Sequence, residues 1–224
     1  MLPEYLRRFF VERGEVMLAK THIVAGVTAA TVVAVVTHHP LSPAVLISGG
    51  LAGLAPDLDH PQALMTRKIP GASLIAGAAQ QSGLIRHRGV LHSILFLWLT
   101  GWIGWRALTT AMSHGLWAIA VMLHLTSLML AGIHAWQHGW LAGGLWAWYA
   151  GYGSHLLVDS WNTTGVQWFW PWASKVHFPW PNITVGTWPE TVVRWGMVAA
   201  LAVWHWPDAL IVAAVAEGIY REMH

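Results

Sequence analysis

Apolar stretches that carry almost no charge occupy most of the sequence, and they constrain the fold more than any other feature. Only 10% of the residues are charged, whereas 55% are hydrophobic; soluble domains carry about 25% charged residues. Because lipid penalises buried charge, the charges of a membrane protein withdraw to loops and functional sites. The apolar stretches cover residues 22–37, 41–56, 89–105, 115–133, 139–158 and 191–206. We therefore predict an all-α, polytopic helical membrane protein with about 4 to 6 apolar helices.

The first eighteen residues have a different pattern, in which charged and bulky apolar residues alternate. Such a pattern predicts an amphipathic helix lying on the membrane surface, and we assign it to residues 1–20. Glu4, Glu12 and Glu15 interrupt the apolar core that a signal peptide needs, so we expect the mature protein to begin at Met1. Residues 21–224 are predicted to form a single membrane-embedded domain.

The distribution of basic residues predicts the orientation. If the first two apolar stretches both cross, with their turn at Pro40 and Pro43, their outer ends lie on one side of the membrane. Eight of the 12 Lys and Arg residues then share that side: Arg7, Arg8, Arg13, Lys20, Arg67, Lys68, Arg86 and Arg88. The positive-inside tendency places this side in the cytoplasm of a bacterial or archaeal cell, with the protein in its cytoplasmic (inner) membrane.

Composition also limits the chemistry. The chain has no cysteine, so any metal must be held by imidazole and carboxylate groups, and 14 His residues supply candidates. The 17 Trp residues suit the bilayer interface, which makes membrane lipids the expected partners. No stripe of Arg and Lys indicates nucleic acid as the main partner.

His and Asp residues occur together at the ends of apolar stretches, in four short segments. The segments are Thr21-His22, Pro56 to His60, His87 to His92, and His155 to Asp159. His155 and Asp159 are four residues apart, which places both on one face of a helix, where they can hold one ion. Asp57 and Asp59 repel each other unless a cation or a proton separates them. We predict a shared site for a divalent metal.

Arg88 is an unusual neighbour for these groups. A cation beside metal-bound imidazoles is repelled unless it pairs with a carboxylate or receives an anionic substrate. We therefore predict that Arg88 is a phosphate or carboxylate clamp; its alternative role is ordinary snorkelling at the interface.

These segments resemble the YdjM-like family of LexA-regulated, predicted inner-membrane metal-dependent hydrolases, whose pattern runs TH, PDxDH, HRGxxHS, GYxSHxxxD and TxxGVxxxxP. The matching residues are Thr21-His22, Pro56 to His60, His87 to Ser93, Gly151 to Asp159, and then Thr163, Thr164, Gly165, Val166 and Pro171. Residues Gly186, Thr187 and Glu190 look like the family's GS-x-x-E element. The resemblance covers roughly residues 20–100 and 148–195, and a Trp-rich segment at 107–140 is a predicted insertion.

The family is distantly similar to zinc-dependent phospholipase C and the related single-strand nucleases, which implies a zinc cluster and a phosphoester substrate. The implied metal ligands are His22, Asp57, Asp59, His87, His92, His155 and Asp159. So many ligands suggest two or three zinc ions, with manganese as the alternative metal. Arg88, Asp57 and His60 are the candidate catalytic residues, with His60 able to bind metal or to orient a ligand.

We expect a metal-dependent hydrolase in which metal lowers the pKa of water toward 7 for attack on a lipid or other phosphoester. Two other functions stay open. A metal transporter needs ionisable ligands near the bilayer midplane, where only His124 lies in this sequence. A structural or regulatory membrane metalloprotein needs a coordinatively closed site.

Overall fold

A computed structural model describes residues 4–82, 88–113, 139–162, 165–179, 183, 186–204 and 217–218. Within these ranges the chain is helical, and the pairing of Val166 with Val176 is an isolated β-bridge. The all-α prediction is confirmed. The α-helices are α1 (Glu4–Val36), α2 (Pro43–Ala52), α3 (Leu64–Lys68), α4 (Ala72–Gln81), α5 (Ile94–Ser113), α6 (Trp140–Ser160) and α7 (Trp188–Trp204). Two 3₁₀ turns, Ala55–Asp59 and Val90–His92, precede α3 and α5.

Three helices form the centre of the fold. Helix α6 packs against both α1 and α2, which also pack against each other; α5 lies against α6, and α7 lies against α1. A Cβ atom on Gly26 or on Gly151 would lie 2.2 or 2.3 Å from the carbonyl oxygen of Gly49. Only glycine permits backbones to approach this closely, as in the small-residue interfaces of membrane helices.

The turn between α1 and α2 follows the sequence pattern. Ser42 caps α2 by accepting a hydrogen bond at Oγ from the backbone N–H of Val45 (3.4 Å), and Pro43 occupies the first turn. Helix α2 has only 10 residues, about 15 Å at 1.5 Å per residue. It is too short to cross a hydrocarbon core of about 30 Å alone, so the hairpin with two complete crossings is not what the structure shows.

Helix α1 contains the candidate membrane span. In the described part of the chain, Ala19–Val36 is the one helical segment both long and apolar enough to cross a bilayer. Helices α5 and α6 have 20 and 21 residues, which is sufficient length, but their Trp and Gly residues lower their mean hydropathy. The prediction of about 4 to 6 apolar spanning helices is therefore supported at one helix only.

The predicted interfacial segment is continuous with this span. Helix α1 runs from Glu4 to Val36 without a break at residue 20, so the surface position of residues 1–20 stays a prediction. Most of the predicted insertion at 107–140, together with His124, lies outside the described residues.

Candidate metal centre

The four predicted segments converge at one end of the three-helix centre. His22 lies on α1, Asp57 in the first 3₁₀ turn, His92 in the second, and His155 on α6. His22, His92 and His155 are completely buried. Buried imidazoles and carboxylates at a helix junction need partners or an ion, because their desolvation is otherwise uncompensated.

Two overlapping groups of ligand atoms result. One contains His22, His155 and Asp159, and the other contains Asp57, His92 and His155; within each group the atoms lie within 4.8 Å of one another. His155 and Asp159 lie on one face of α6, with Nε2 and Oδ2 3.7 Å apart, as their spacing predicts.

The second group matches the spacing of ligands around a single ion. His155 Nε2 lies 3.2 Å from His92 Nε2 and 3.7 Å from Asp57 Oδ1, and His92 Nε2 lies 3.6 Å from Asp57 Oδ1. Ligand atoms bound tetrahedrally at 2.0–2.2 Å stand roughly 3.3–3.6 Å apart. The donor set of two imidazoles and one carboxylate therefore fits a divalent metal ion in chemistry and in spacing.

A backbone carbonyl orients His155. Its Nδ1 donates a hydrogen bond to Gly53 O (2.7 Å), which leaves Nε2 directed at the cluster as the ligand atom of the neutral ring. Gly53 is required here, because a Cβ atom at this position would lie 2.4 Å from the carbonyl oxygen of His22. The ring of His22 stacks on His155, with centroids 3.8 Å apart.

A carboxylate orients His92 in a similar way. Asp59 Oδ2 lies 3.3 Å from His92 Nδ1, on the side of the ring away from the Nε2 contacts. Asp59 is buried and belongs to neither ligand group, which distinguishes it from Asp57. This is the carboxylate–histidine arrangement that supports ligating histidines in metal sites.

The 3₁₀ turn that carries both aspartates is held by hydrogen bonds to its backbone. Thr66 Oγ1 donates to Asp57 O (3.4 Å), and Gln80 Nε2 donates to Asp59 O (2.8 Å). The turn with His92 is held by Tyr152, whose hydroxyl donates to Leu91 O. These contacts fix the two turns relative to α3, α4 and α6.

Arg88 pairs with the carboxylate of Asp159. Its Nε lies 3.1 Å from Oδ2 and its Nη2 lies 3.4 Å from Oδ1, while its backbone N–H donates to Asp59 Oδ2 (3.2 Å). Arg88 has a positive φ (60°), and its backbone N–H and its guanidinium contact different aspartates. The carboxylate pairing considered for this cation in the sequence is thus present.

The electrostatics of the turns follow from these contacts. Burial raises the pKa of Asp57, but the neighbouring His155, His92 and His22 outweigh it and hold the pKa well below its usual value. Burial lowers the pKa of His92, and the carboxylates of Asp57 and Asp59 outweigh it and raise the pKa to about 9. Asp57 is therefore ionised and available as a ligand at neutral pH.

His22 gives an independent reason to expect a cation. Both of its ring nitrogens are buried without a hydrogen-bond partner among the described residues, and Nε2 lies 3.4 Å from Asp159 Oδ1. Unsatisfied buried nitrogens are costly, and a metal ion is one group that satisfies them.

Two predicted site residues are not part of this cluster as described. His87 lies outside the described residues. His60 is partly exposed and belongs to neither ligand group; its Nδ1 accepts a hydrogen bond from the backbone N–H of Gln62 (3.3 Å). The 3₁₀ turn ends at Asp59, and His60 follows it in an extended conformation.

Glu190 is a neighbour of the site that is not among the predicted metal ligands or catalytic residues. It is buried at the start of α7, where its carboxylate accepts hydrogen bonds from Thr21 Oγ1 and from the backbone N–H of Gly186. A water-sized cavity of about 20 Å³ beside Asp159 is lined by Thr21 and Glu190. The signal in the sequence was a carboxylate at the edge of an apolar stretch, three residues after Thr187.

The chain is similar in sequence to known proteins. A family model described as YdjM inner membrane protein matches residues 17–220. The chain is 25% identical over 185 residues to the uncharacterized protein YvsG of Bacillus subtilis (strain 168), which covers 82% of this chain and 91% of YvsG. No solved structure matches.

Proposed function

Because the chain belongs to the YdjM inner membrane protein family and buries a His/Asp cluster that could hold a metal ion, we propose that it is a membrane-bound, metal-dependent hydrolase of phosphoesters. The preferred substrate in this proposal is a lipid phosphoester at the cytoplasmic face. The proposal adds helices α5 and α6 to α1 as membrane-crossing helices, on the basis of their lengths.

The observation that carries the proposal is the ligand group with one accessible side. His92 and His155 are closed to solvent, whereas the side chain of Asp57 is 13% exposed. Three protein ligands beside an approachable position are typical of catalytic zinc, whereas structural zinc has four protein ligands. When bound, zinc or manganese supplies Lewis acidity that lowers the pKa of water toward 7.

The proposal assigns one ion to Asp57, His92 and His155. His155 belongs to both ligand groups. Its Nδ1 donates a hydrogen bond to Gly53 O, so Nε2 is the one ligand atom that His155 can offer to either group. The groups therefore do not define two independent ions. His22 and Asp159 then flank the first ion, and a second ion needs further ligands.

Arg88 is the proposed contact for the phosphoryl oxygens. Its side chain is 11% exposed, beside the cluster, and the contacts with Asp159 hold its guanidinium in place. A guanidinium offers five N–H donors in a planar fork that suits phosphate. Stabilising charge that develops on these oxygens is the role it has in the proposal.

Hydrolysis is tested with the purified chain in lipid nanodiscs, by measuring release of phosphorylated headgroup and of diacylglycerol. Activity that disappears with a chelator and returns with zinc or manganese supports the proposal. Arg88→Ala should retain metal and lose turnover, and Arg88→Lys should recover part of it. Loss of metal in Arg88→Ala contradicts the clamp role, and metal-loaded protein without turnover on any phosphoester contradicts the hydrolase.

A structural metal site is the second candidate, because the three histidines are completely buried. Such a site ties α1, α6 and the two 3₁₀ turns together, and its metal contributes folding free energy directly. It predicts that a chelator lowers the thermal stability strongly and that no phosphoester is cleaved.

A further inference from the structure

A short turn between α6 and α7 exposes aromatic side chains to the surroundings. We call residues Phe169–Trp172 the aromatic turn; it is closed by a hydrogen bond from the backbone N–H of Trp172 to Phe169 O (2.9 Å). Phe169, Trp170 and Trp172 are 50%, 40% and 70% exposed. Large exposed aromatic groups gathered on one turn are uncommon on a surface that faces only water.

The aromatic turn is held rigidly by the residues on either side. Val166 and Val176 exchange two backbone hydrogen bonds, of 3.0 and 2.8 Å, at its base. The indole N–H of Trp168 donates to Ser160 Oγ (2.8 Å), and Trp168 O accepts from the backbone N–H of Ile94 (2.9 Å). Its exposed side chains are therefore presented on a fixed backbone, which reduces the entropy cost of docking.

The attachment points place the aromatic turn at the metal-cluster end of the fold. Ser160 follows Asp159 directly, and Ile94 lies two residues after His92. His22 lies within the first turn of the candidate span Ala19–Val36, so the cluster sits near the end of that span. The aromatic turn is thus anchored at the level where α1 enters the membrane.

The chemistry of the aromatic turn matches the headgroup layer. Trp combines a large apolar ring with one N–H donor, and it concentrates at membrane–water interfaces for that reason. Lys175, three residues beyond Trp172, is exposed and complements the phosphates of anionic lipids. Aromatic rings next to a cation favour a lipid interface over a purely hydrocarbon or a purely aqueous environment.

We propose that the aromatic turn inserts Phe169, Trp170 and Trp172 into the headgroup layer of the leaflet at which α1 enters the membrane, and so fixes the depth of the His/Asp cluster relative to the lipid headgroups. The turn acts as an interfacial anchor for lipid. This inference depends on the membrane position of α1 and not on hydrolysis.

The absence of cysteine in the chain allows a direct depth measurement. Trp172→Cys and Phe169→Cys are each spin-labelled in the full-length protein, reconstituted in nanodiscs of phosphatidylethanolamine and phosphatidylglycerol. Lys68→Cys, at an exposed charged position on α3, is the matched control. Collision rates of the label with oxygen, which enters lipid, and with a water-soluble nickel complex are compared by power saturation.

We expect the ratio of oxygen to nickel collision rates at residues 169 and 172 to exceed that at residue 68 several-fold, at a depth near the lipid phosphates. A ratio equal to that of the control overturns the proposal, because the turn is then in water. Low collision rates with both reagents also overturn it, because protein then covers the turn. Line broadening that disappears on dilution with unlabelled protein identifies a second copy as that cover.

Discussion

Two adjoining regions of the α1–α2–α6 centre are buried by different means. In the first, which we call the glycine end, Gly26, Gly49 and Gly151 bring backbones into contact one helical turn from the cluster, and the core residues beyond them are small and apolar. In the second, which we call the polar end, the same helices enclose imidazoles and carboxylates. Apolar packing stabilises a fold without further partners, whereas a buried polar cluster needs compensation and is often less stable than an apolar replacement. We therefore expect the glycine end to maintain the fold and the polar end to depend on a bound ion.

Even one added methyl group at the glycine end should lower the free energy of unfolding. Gly151→Ala places a methyl group 2.3 Å from Gly49 O, a backbone atom that cannot move alone, so we expect a loss of ~3 kcal/mol or more of unfolding free energy. Gly144→Ala is the matched control on the same helix, because its nearest neighbour is 3.7 Å away. Thermal unfolding in detergent measures both. Equal stability of the two variants would contradict the close-packing account.

Substitutions at the polar end should distinguish the roles of two aspartates that the sequence pattern does not distinguish. Asp57→Asn removes a ligand atom, so we expect bound metal to be lost. Asp59→Asn weakens only the support of His92, and we expect ~10–100-fold weaker binding. Calorimetric titration of the metal-depleted protein with zinc measures both. If Asp59→Asn loses the metal and Asp57→Asn keeps it, the assignment of roles is reversed.

Glu190 connects the polar end to α7, and its substitution should have a smaller effect. Glu190→Gln replaces a carboxylate that accepts two hydrogen bonds with an amide that presents one donor group to them, so we expect a loss of ~1–3 kcal/mol. Glu217→Gln, at an exposed position, is the control. The thermal midpoint in detergent is the measurement; an unchanged midpoint in Glu190→Gln argues against the connection.

The smallest predicted effect is the pH dependence of metal affinity at the polar end. Because the pKa of His92 is raised to about 9, the ring must lose a proton before Nε2 binds a cation. Metal affinity should fall as the pH decreases below about 9, by up to ~tenfold per pH unit for one proton. Asp59→Asn removes one of the carboxylates that raise this pKa, so the pH-dependent decrease of its metal affinity should begin at a lower pH than in wild type. Calorimetry in buffers of different ionisation enthalpy counts the released protons.

The sequence predicted much of the polar end and little of the glycine end. The spacing of His155 and Asp159 predicts that both side chains lie on one face of a helix. The occurrence of His and Asp at the ends of apolar stretches predicts that these residues form one shared site. The pattern does not distinguish Asp57 from Asp59, because the difference comes from which nitrogen of His92 each carboxylate approaches. The role of His60 stays a prediction, because this residue directly follows Asp59 but belongs to neither ligand group.

The glycine contacts depend on tertiary geometry. Gly26, Gly49 and Gly151 lie on three helices, and the local sequence contains no information about which backbones approach one another. The short length of α2 has a related reason. An apolar stretch sets the allowed length of a helix, but the chain divides residues 41–56 between the short α2 and a 3₁₀ turn, so that Asp57 and Asp59 reach the cluster.

The most direct test of the central claim is metal content by inductively coupled plasma mass spectrometry on detergent-purified protein. Wild type, Asp57→Asn and the exposed control His177→Ala are compared. The account predicts near-stoichiometric zinc or manganese in wild type and in His177→Ala, and its loss in Asp57→Asn. Wild-type protein without metal, or Asp57→Asn with an unchanged amount, would contradict the metal centre.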